Sequence, residues 1–128
     1  MRVLLDSHAF IWWTLDAPSL SDRCREILAD GQNEVALSVA SLYEIAYKAA
    51  QGRLTLPESP DVYLRSRLAA NDFDTIAIEA PHALRAATLP AIHRDPFDRI
   101  IVAQAQLHAI PILTADPAIS RYDVETIW

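Results

Sequence analysis

Cysteine and glycine are scarce in this sequence. Cys24 is the only cysteine, so an internal disulfide is excluded, and the chain has just two glycines. It contains no low-complexity stretch, fixed-period repeat or linker-like segment that would separate two domains. We therefore expect one folded domain over residues 1–128, a length that buries a sufficient core without disulfides or a structural metal.

Long hydrophobic runs are missing as well. The apolar run near the N-terminus, Val3–Leu5, is cut short by Asp6. A signal peptide needs a longer apolar stretch, and a membrane-spanning helix needs a longer one still. A lone cysteine also suits a reducing compartment. We therefore expect a soluble, cytoplasmic protein.

Positive charge is in deficit. The chain has 11 Lys and Arg residues against 17 Asp and Glu residues, which gives a formal net charge of −6. Proteins that bind nucleic acid through a basic surface depend on clustered Lys and Arg, so this balance argues against that class. The objection loses its force if the negative charge is gathered at a site for divalent cations, because the cations then supply the positive centre.

Apolar runs and helical segments alternate along the chain. Five short apolar runs predict strands: Val3–Leu5, Val35–Leu37, Thr75–Ile78, Ile110–Leu113 and Val124–Ile127. Six longer segments predict helices: His8–Leu15, Ser21–Ala29, Val39–Gln51, Asp61–Ala70, Glu79–Ala87 and Pro96–His108. Strands that alternate with helices need crossover connections, so we predict an α/β fold with a mostly parallel five-stranded sheet covered on both faces.

Several predicted boundaries carry their own signals. Ser59 and Asp95 each precede a proline, the arrangement of a capping side chain before proline at the first helical position. Gly52 follows the third predicted helix, where a left-handed residue is expected. Pro111 has no N–H to donate, so it is expected at the beginning of the fourth strand or at a sheet edge.

Four acidic residues are predicted to share one end of this sheet. Asp6 directly follows the first predicted strand, and Asp116 follows the fourth. Glu44 lies in the helix after the second strand, and Asp98 lies in the first turn of the helix that leads into the fourth. Ligands of open parallel sheets bind beyond the carboxyl ends of the strands. All four carboxylates can therefore face one cleft.

Each acid also has an ordinary structural interpretation. Asp6 fits the N-cap of the first helix, Asp98 fits the positive end of a helix dipole, and Asp116 before proline fits a turn. Glu44 fits an ion pair with Lys48 one turn on, or a capping box with the serine three residues before it. Each signal is weak alone, and the common placement of all four is what favours a site.

Carboxylates gathered in this way need a counter-charge. Two of them about 4 Å apart repel by roughly 4 kcal/mol at an effective dielectric constant near 20. A hard dication such as Mg²⁺, with Mn²⁺ as a substitute, accepts carboxylate oxygens and leaves positions for phosphate oxygens. Zinc fits poorly, because the four histidines and one cysteine show no paired ligand spacing. The predicted chemistry is metal-assisted attack on a phosphodiester.

Four segments together resemble one known family. They are Leu4–His8, Ser41–Ile45, His93–Arg99 before an apolar helix, and Leu113–Asp116. In order and spacing they resemble PIN-domain proteins, and in particular the VapC-type toxins of bacterial and archaeal toxin–antitoxin pairs. The resemblance extends over essentially the whole chain.

The resemblance implies a three-layer α/β/α sandwich and Mg²⁺-dependent endonuclease action on RNA. By position, it makes Asp6 and Asp98 the main metal ligands, and Glu44 and Asp116 the residues that complete the acidic site. It also implies a homodimer and a small antitoxin partner that inserts a basic side chain into the acidic pocket.

The sequence differs from the usual family pattern at two positions, and the residue at each position retains the functional group of the one it replaces. Ser7 replaces the usual threonine and keeps a hydroxyl, and Tyr43 replaces a frequent tryptophan and keeps a large aromatic ring.

Thr114 fits a hydrogen bond to a water or phosphate at the site, and equally an ordinary strand end. Asp95 fits a helix cap better than a metal ligand. The tryptophans are interpreted as core or dimer contacts rather than base-stacking residues: Trp12, Trp13 and Trp128.

The neighbouring cations and histidines have less definite roles. Arg94, Arg99 and Lys48 fit contacts to the RNA backbone, and they fit plain surface charges equally well. His8 and His93 are adjacent to the acidic segments, where a structural hydrogen bond is favoured over general base catalysis.

Two other functions stay open at this point. An aspartyl phosphotransferase or phosphatase would use Asp6 as its nucleophile. Dehalogenase-type phosphatases, however, carry a second Asp two residues later, where this chain has His8. A catalytically silent PIN-like binding module would need no cluster of acids, and Asp6→Asn would then leave its function unchanged.

Overall fold

The structure, a computed structural model, describes residues 1–128 and contains an all-parallel sheet with six α-helices. The strands are β1 Arg2–Leu5, β2 Glu34–Ser38, β3 Asp74–Ile76, β4 Ile112–Leu113 and β5 Thr126–Ile127. The helices are α1 Ser7–Thr14, α2 Asp22–Ala29, α3 Val39–Ala50, α4 Pro60–Asn71, α5 Ala80–Thr88 and α6 Pro96–His108, with a 3-10 helix at Ile119–Arg121. The predicted alternation of strands and helices is confirmed.

The strands lie in the order β3-β2-β1-β4-β5, and every neighbouring pair is parallel. β2 and β3, which follow β1 in the chain, lie on one side of it, and β4 and β5 lie on the other side. Strand order therefore reverses between β1 and β4, where Leu5 is in register with Leu113. Such a reversal opens a crevice beyond the strand ends.

The side chains of each strand point alternately to the two faces of the sheet, and each face has its own hydrophobic core. Val3 and Leu5 lie in a core with side chains of α1, α2, α3 and α4, whereas Leu4 and Ile112 lie in a second core with α6 and the 3-10 helix. Successive side chains of a strand point to opposite faces, so a sheet covered on both sides needs apolar residues at every position. The three-layer α/β/α architecture is confirmed.

The helix boundaries follow most of the predicted signals. The Asp95 side chain caps α6 by accepting a hydrogen bond from the Phe97 N–H at 2.9 Å, and Gly52 lies beyond α3 with a φ of 73°. Pro111 lies just before β4, as expected of a residue without an N–H. Ser59 is the N-cap residue of α4 and Pro60 begins the helix, as predicted, but the Ser59 side chain makes no capping hydrogen bond. No helix combines the length and hydrophobicity that a membrane crossing requires.

Candidate active site

The acidic residues lie where strand order reverses. Asp6 is the first residue after β1 and the N-cap of α1, and Asp116 lies three residues beyond β4. Asp98 lies in the first turn of α6, and Glu44 lies in the middle of α3. Contacts through Thr114 and His93 link Asp6, Asp116 and Asp98, and Glu44 lies close enough for its charge to act on Asp98. We call these four residues the acidic cluster.

Thr114 connects the ends of the two central strands. Its hydroxyl donates a hydrogen bond to Asp6 Oδ2 and accepts one from the Asp116 N–H at 3.0 Å. The other oxygen of Asp6 accepts from the Ala9 N–H at 2.7 Å, so this side chain is also the N-cap of α1. Asp6 is only 4% exposed. The capping interpretation of Asp6 and its place in the cluster are therefore compatible.

Glu44 is held from two sides. Its Oε1 accepts a hydrogen bond from the Ser7 hydroxyl at 2.6 Å, and its Oε2 pairs with Lys48 Nζ at 2.7 Å. The side chain is 3% exposed, which is unusual for a carboxylate without a partner and ordinary for a paired one. The ion pair with Lys48 is confirmed. The capping box is not formed, because α3 begins at Val39 with Ser38 as its N-cap.

His93 bridges the remaining two acids. Its Nε2 lies 3.0 Å from Asp98 Oδ2 and 3.0 Å from Asp116 Oδ2. Its Nδ1 accepts the Asp95 N–H at 3.2 Å, so the network assigns the ring hydrogen of the neutral imidazole to Nε2. His93 therefore donates a hydrogen bond to Asp116 and lies at the same distance from Asp98, so it links the two carboxylates. Its position beside the acidic segment pointed to a structural hydrogen bond, but not to these two partners.

The electrostatics of Asp98 reflect this crowding. Burial first, and then the charges of Asp95, Glu44 and Asp116, raise the pKa of Asp98 to about 7. The interaction with His93 opposes the rise in pKa. An acid that is half protonated near neutral pH, among three other carboxylates, marks a place where added positive charge is favourable.

Asp6 is shifted in the same direction. Burial raises the pKa of Asp6 above its usual value of 3.8, and the charge of Asp116 adds to that rise. The hydrogen bonds from Thr114 and from the Ala9 N–H lower it in part, because they stabilise the ionised form. Two of the four acids therefore carry a charge that the protein compensates incompletely.

The three basic side chains near the acidic segments have different surroundings in the structure. Arg99 is neither a surface charge nor available for RNA, because its guanidinium donates to backbone carbonyls, at 2.8 Å to Ala86 and 2.9 Å to Leu89. Arg94 is exposed and makes no ion pair. Lys48 reaches the acidic cluster through Glu44.

The aromatic residues of α1 lie close to the cluster. All three tryptophans pack against the core beside β1, as predicted, and Trp12 meets Trp128 edge-on with ring centroids 5.7 Å apart. Trp12 and His8 also line a cavity that reaches Asp6 and Asp116. Nothing in the sequence pattern distinguished Trp12 from its neighbour Trp13 in this respect.

The donor atoms of the cluster suit a hard dication. One ligand atom each from His93, Asp98 and Asp116 lies within 4.8 Å of the others. Because the His93 Nε2 carries its hydrogen, the atoms available to an ion are carboxylate oxygens. Oxygen-only sites favour Mg²⁺ or Mn²⁺ over zinc. The residues present therefore fit the ion that the sequence predicts.

Comparisons with known proteins agree with this geometry. A family model described as PIN domain matches residues 3–125. Ribonuclease VapC22 of Mycobacterium tuberculosis (strain ATCC 25618 / H37Rv) is 32% identical over 115 residues, which cover 89% of this chain and 86% of that protein.

Two solved structures share the fold. VapBC2 from Rickettsia felis, bound to a DNA fragment from its promoter, superposes with a TM-score of 0.75 at 18% identity, covering 100% of this chain and 99% of the other. FitAcB from Neisseria gonorrhoeae superposes with a TM-score of 0.67 at 23% identity, covering 98% and 96%. At these identities the likeness concerns the fold alone. The family model and the Mycobacterium tuberculosis relative go further, and the chain belongs to the PIN-domain family, among its VapC-type members.

Proposed function

We propose that this chain is a divalent-metal-dependent endoribonuclease and the toxin of a toxin–antitoxin pair. Its substrate is RNA, and its reaction is hydrolysis of a phosphodiester bond. Asp6, Glu44, Asp98 and Asp116 form the catalytic and metal-binding site. The observation that carries the proposal is the gathering of these four acids at the strand-order reversal, where Thr114 and His93 link Asp6, Asp116 and Asp98 and the charge of Glu44 acts on Asp98.

Asp6 and Asp98 are the proposed main ligands of Mg²⁺, with Mn²⁺ as a substitute. Glu44 and Asp116 complete the site directly or through water. The bound ion would supply Lewis-acid chemistry, which lowers the pKa of water and offsets charge that develops on the phosphodiester. An ion also removes the objection from the net charge of −6, since it attracts phosphate where the surface does not.

The side chains around the acids act as positioning residues. Thr114 fixes the orientation of Asp6, and Ser7 fixes that of Glu44. Burial of Asp6 and Glu44 keeps bulk water away, which strengthens every charge interaction at the site. Lys48 compensates Glu44 in the resting protein, and its flexible ammonium is available to a phosphate oxygen of the substrate.

The geometry favours this function over the phosphotransferase alternative. A nucleophilic aspartate needs a free oxygen directed at the phosphorus atom. In this structure Oδ1 of Asp6 accepts from the Ala9 N–H, and Oδ2 accepts from Thr114. Both oxygens are therefore engaged as acceptors, an arrangement that suits a ligand held in place better than an attacking group.

Cleavage of total RNA tests the proposal. Wild type, Asp6→Asn and Asp98→Asn are compared in Mg²⁺, in Mn²⁺ and in chelator. Cutting is expected from wild type only, and only with metal. Asn is as good an N-cap as Asp, so Asp6→Asn removes a charge while α1 keeps its cap. Chelator-resistant cutting would exclude the mechanism, and equal function of Asp6→Asn and wild type would favour a silent binding module.

A small antitoxin is the proposed protein partner. An acidic cluster that is incompletely compensated attracts a basic side chain, so a partner that inserts Arg or Lys would compete with metal and substrate. The product of a short reading frame beside this gene, where one is found, is the first candidate. Co-expression of this product should restore growth that the toxin alone arrests, in the cytoplasm, where both would act.

Homodimerisation is proposed through an exposed aromatic face. The rings of Tyr43 and Tyr47 stack with centroids 5.9 Å apart, and Phe97 lies 5.6 Å from Tyr43. Tyr43 is 59% exposed, although large aromatic rings are favoured where a partner covers them. Light scattering should show a dimer for wild type and a monomer for Tyr43→Lys. A monomeric wild type at all accessible concentrations would reject this part of the proposal.

A further inference from the structure

A second cavity lies beside the acidic cluster, between α1 and α3. It has a volume of about 260 Å³, and its lining includes Ser7, His8, Trp12, Glu44, Lys48 and Arg53. Ser7 and Glu44, which are hydrogen-bonded to one another, belong to this cavity and to the acidic cluster. We call it the α1–α3 cavity. It continues the site without containing Asp6, Asp98 or Asp116.

We propose that the α1–α3 cavity binds one nucleobase of the RNA substrate, with the adjoining phosphate held by Arg53. This inference rests on the proposed ribonuclease function and specifies where a flanking nucleotide lies. It assigns base recognition to Trp12 and phosphate contact to Arg53.

The aromatic wall of the cavity suits a base. The ring centroids of His8 and Trp12 lie 5.6 Å apart, and Trp12 is fixed from behind by its edge-on contact with Trp128. A rigid ring that is only partly buried offers a stacking surface with little entropy left to lose. Single-stranded nucleic acids bind proteins largely through such stacking, in addition to contacts with the backbone.

The size of the cavity limits its occupant. Pockets for drug-sized ligands have volumes of about 300–1,000 Å³. At about 260 Å³, the α1–α3 cavity admits a single ring system and excludes a folded segment of RNA. One extended nucleotide next to the cleaved bond meets that condition.

The positive charge of Arg53 at the α1–α3 cavity favours the binding of a phosphate. Arg53 is exposed and has no carboxylate partner, and its guanidinium has only Gln51 Oε1 as a hydrogen-bond acceptor, at 3.5 Å. Lys48 lines the same cavity, although it is paired with Glu44. In a chain with a net charge of −6, an uncompensated guanidinium beside an aromatic wall fits a nucleotide better than it fits an apolar side chain.

The test uses short single-stranded RNA oligonucleotides with one cleavage site. Each oligonucleotide carries one abasic nucleotide at a different position near that site. With wild type, one flanking abasic position should raise KM about ten-fold, as the loss of one stacked base predicts. Trp12→Leu should raise KM for the intact oligonucleotide by a similar factor. With this variant, KM should be the same for the intact and the abasic oligonucleotide.

Arg53→Ala provides a variant that keeps the fold, because this side chain is exposed. It should raise KM several-fold with little change in kcat and should reduce the salt dependence of KM. Arg23→Ala is the matched control, since Arg23 is also exposed but lies on α2 and does not line the cavity. Trp12→Phe, which keeps a stacking ring, should recover most of the loss seen with Trp12→Leu.

The outcomes separate the two proposals. If wild type cuts no RNA, the ribonuclease proposal fails. If wild type cuts but no flanking abasic position matters, and Arg53→Ala behaves as Arg23→Ala does, the nucleobase site is overturned. If the cavity variants cut normally but escape the antitoxin, the occupant is a protein side chain and the inference is equally overturned.

Discussion

Thr114 shows how a single hydroxyl can organise the acidic cluster. Its side chain binds groups at the ends of both central strands, since it donates to Asp6 and accepts from the Asp116 N–H. A serine or threonine satisfies two partners in this way because its hydroxyl both donates and accepts. The distance between the two acids therefore depends on one side chain that is not itself acidic.

Thr114→Val tests this role with nearly unchanged shape. The variant leaves the buried Asp6 Oδ2 without its donor, which costs about 1–3 kcal/mol of stability. We expect RNA cleavage to fall at least ten-fold and divalent binding to weaken, because the carboxylate is no longer fixed. Calorimetric metal titration and a melting curve measure both effects. Thr114→Ser should retain both properties, and equal loss with serine would contradict the role of the hydroxyl.

The residues of the site were predictable from sequence to different degrees. Asp6 and Asp116 follow apolar runs, so the fold class alone places them at one sheet end. The bridge from His93 to Asp98 depends on a turn of irregular backbone before α6, and no periodicity describes such a turn. Arg99 was also beyond prediction, because its acceptors are backbone carbonyls.

At the scale of elements, one guanidinium binds several carbonyls of the segment before α6. Arg99, on α6, donates to the carbonyls of Leu89 and Pro90 at 2.9 and 3.0 Å, and to the carbonyl of His93 at 3.4 Å. The segment that carries His93 has no regular hydrogen-bond ladder of its own. Its position at the acidic cluster therefore depends on this side chain together with Tyr122, whose hydroxyl accepts a hydrogen bond from the His93 N–H at 2.8 Å.

Arg99→Met should release that segment. The substitution keeps much of the aliphatic stem and removes every donor, so the carbonyls lose their partners. We expect faster hydrogen exchange at the Asp95 N–H and lower RNA cleavage, because His93 is then held by Tyr122 alone. Arg94→Met, at an exposed position without an ion pair, is the control for hydrogen exchange. Unchanged exchange in Arg99→Met would contradict the role.

The end of α3 offers a second test. Gly52 has a φ of 73°, which an L-residue with a Cβ adopts only with strain. Gly52→Ala should lower the free energy of unfolding by about 1 kcal/mol, measured by urea denaturation. Gly31 has no left-handed φ and no neighbour within 4 Å of an added Cβ, so Gly31→Ala should be neutral or stabilising. Equal effects of the two substitutions would contradict this account.

The boundaries of β2 were predicted more closely than those of the edge strands β3 and β5. The run Val35–Leu37 lies within β2, which pairs on both sides. The runs at Thr75–Ile78 and Val124–Ile127 extend beyond β3 and β5, which pair on one side only. An edge strand ends where the single strand beside it turns away, and the amino-acid composition of the run does not predict that residue.

At the scale of the whole molecule, the acidic cluster should make stability depend on pH. The pKa of Asp98 is about 7 in the folded protein against 3.8 for a free carboxyl, and the pKa of Asp6 is raised too. Between these values the folded chain binds more protons than the unfolded chain. The metal-free protein should therefore lose stability as pH rises from about 4 to about 7.

Melting curves in chelator between pH 5 and 8 measure this dependence. Asp98→Asn removes the buried charge, so it should melt higher than wild type at pH 8 and show a weaker pH dependence. Added Mg²⁺ should stabilise wild type at pH 8 and Asp98→Asn much less, because ligand binding to the folded state shifts the equilibrium. A wild type that gains stability from pH 5 to 8 in chelator would contradict the raised pKa.

The two outermost strands have a consequence for self-association. β3 has three residues and β5 has two, so each edge exposes only a few unpaired N–H and C=O groups. Long flat edges are the usual templates on which strands of other molecules add, leading to fibrils and inclusion bodies. With such short borders, crowded copies of this chain lack a template for that growth, even at the high cellular concentrations of overproduction.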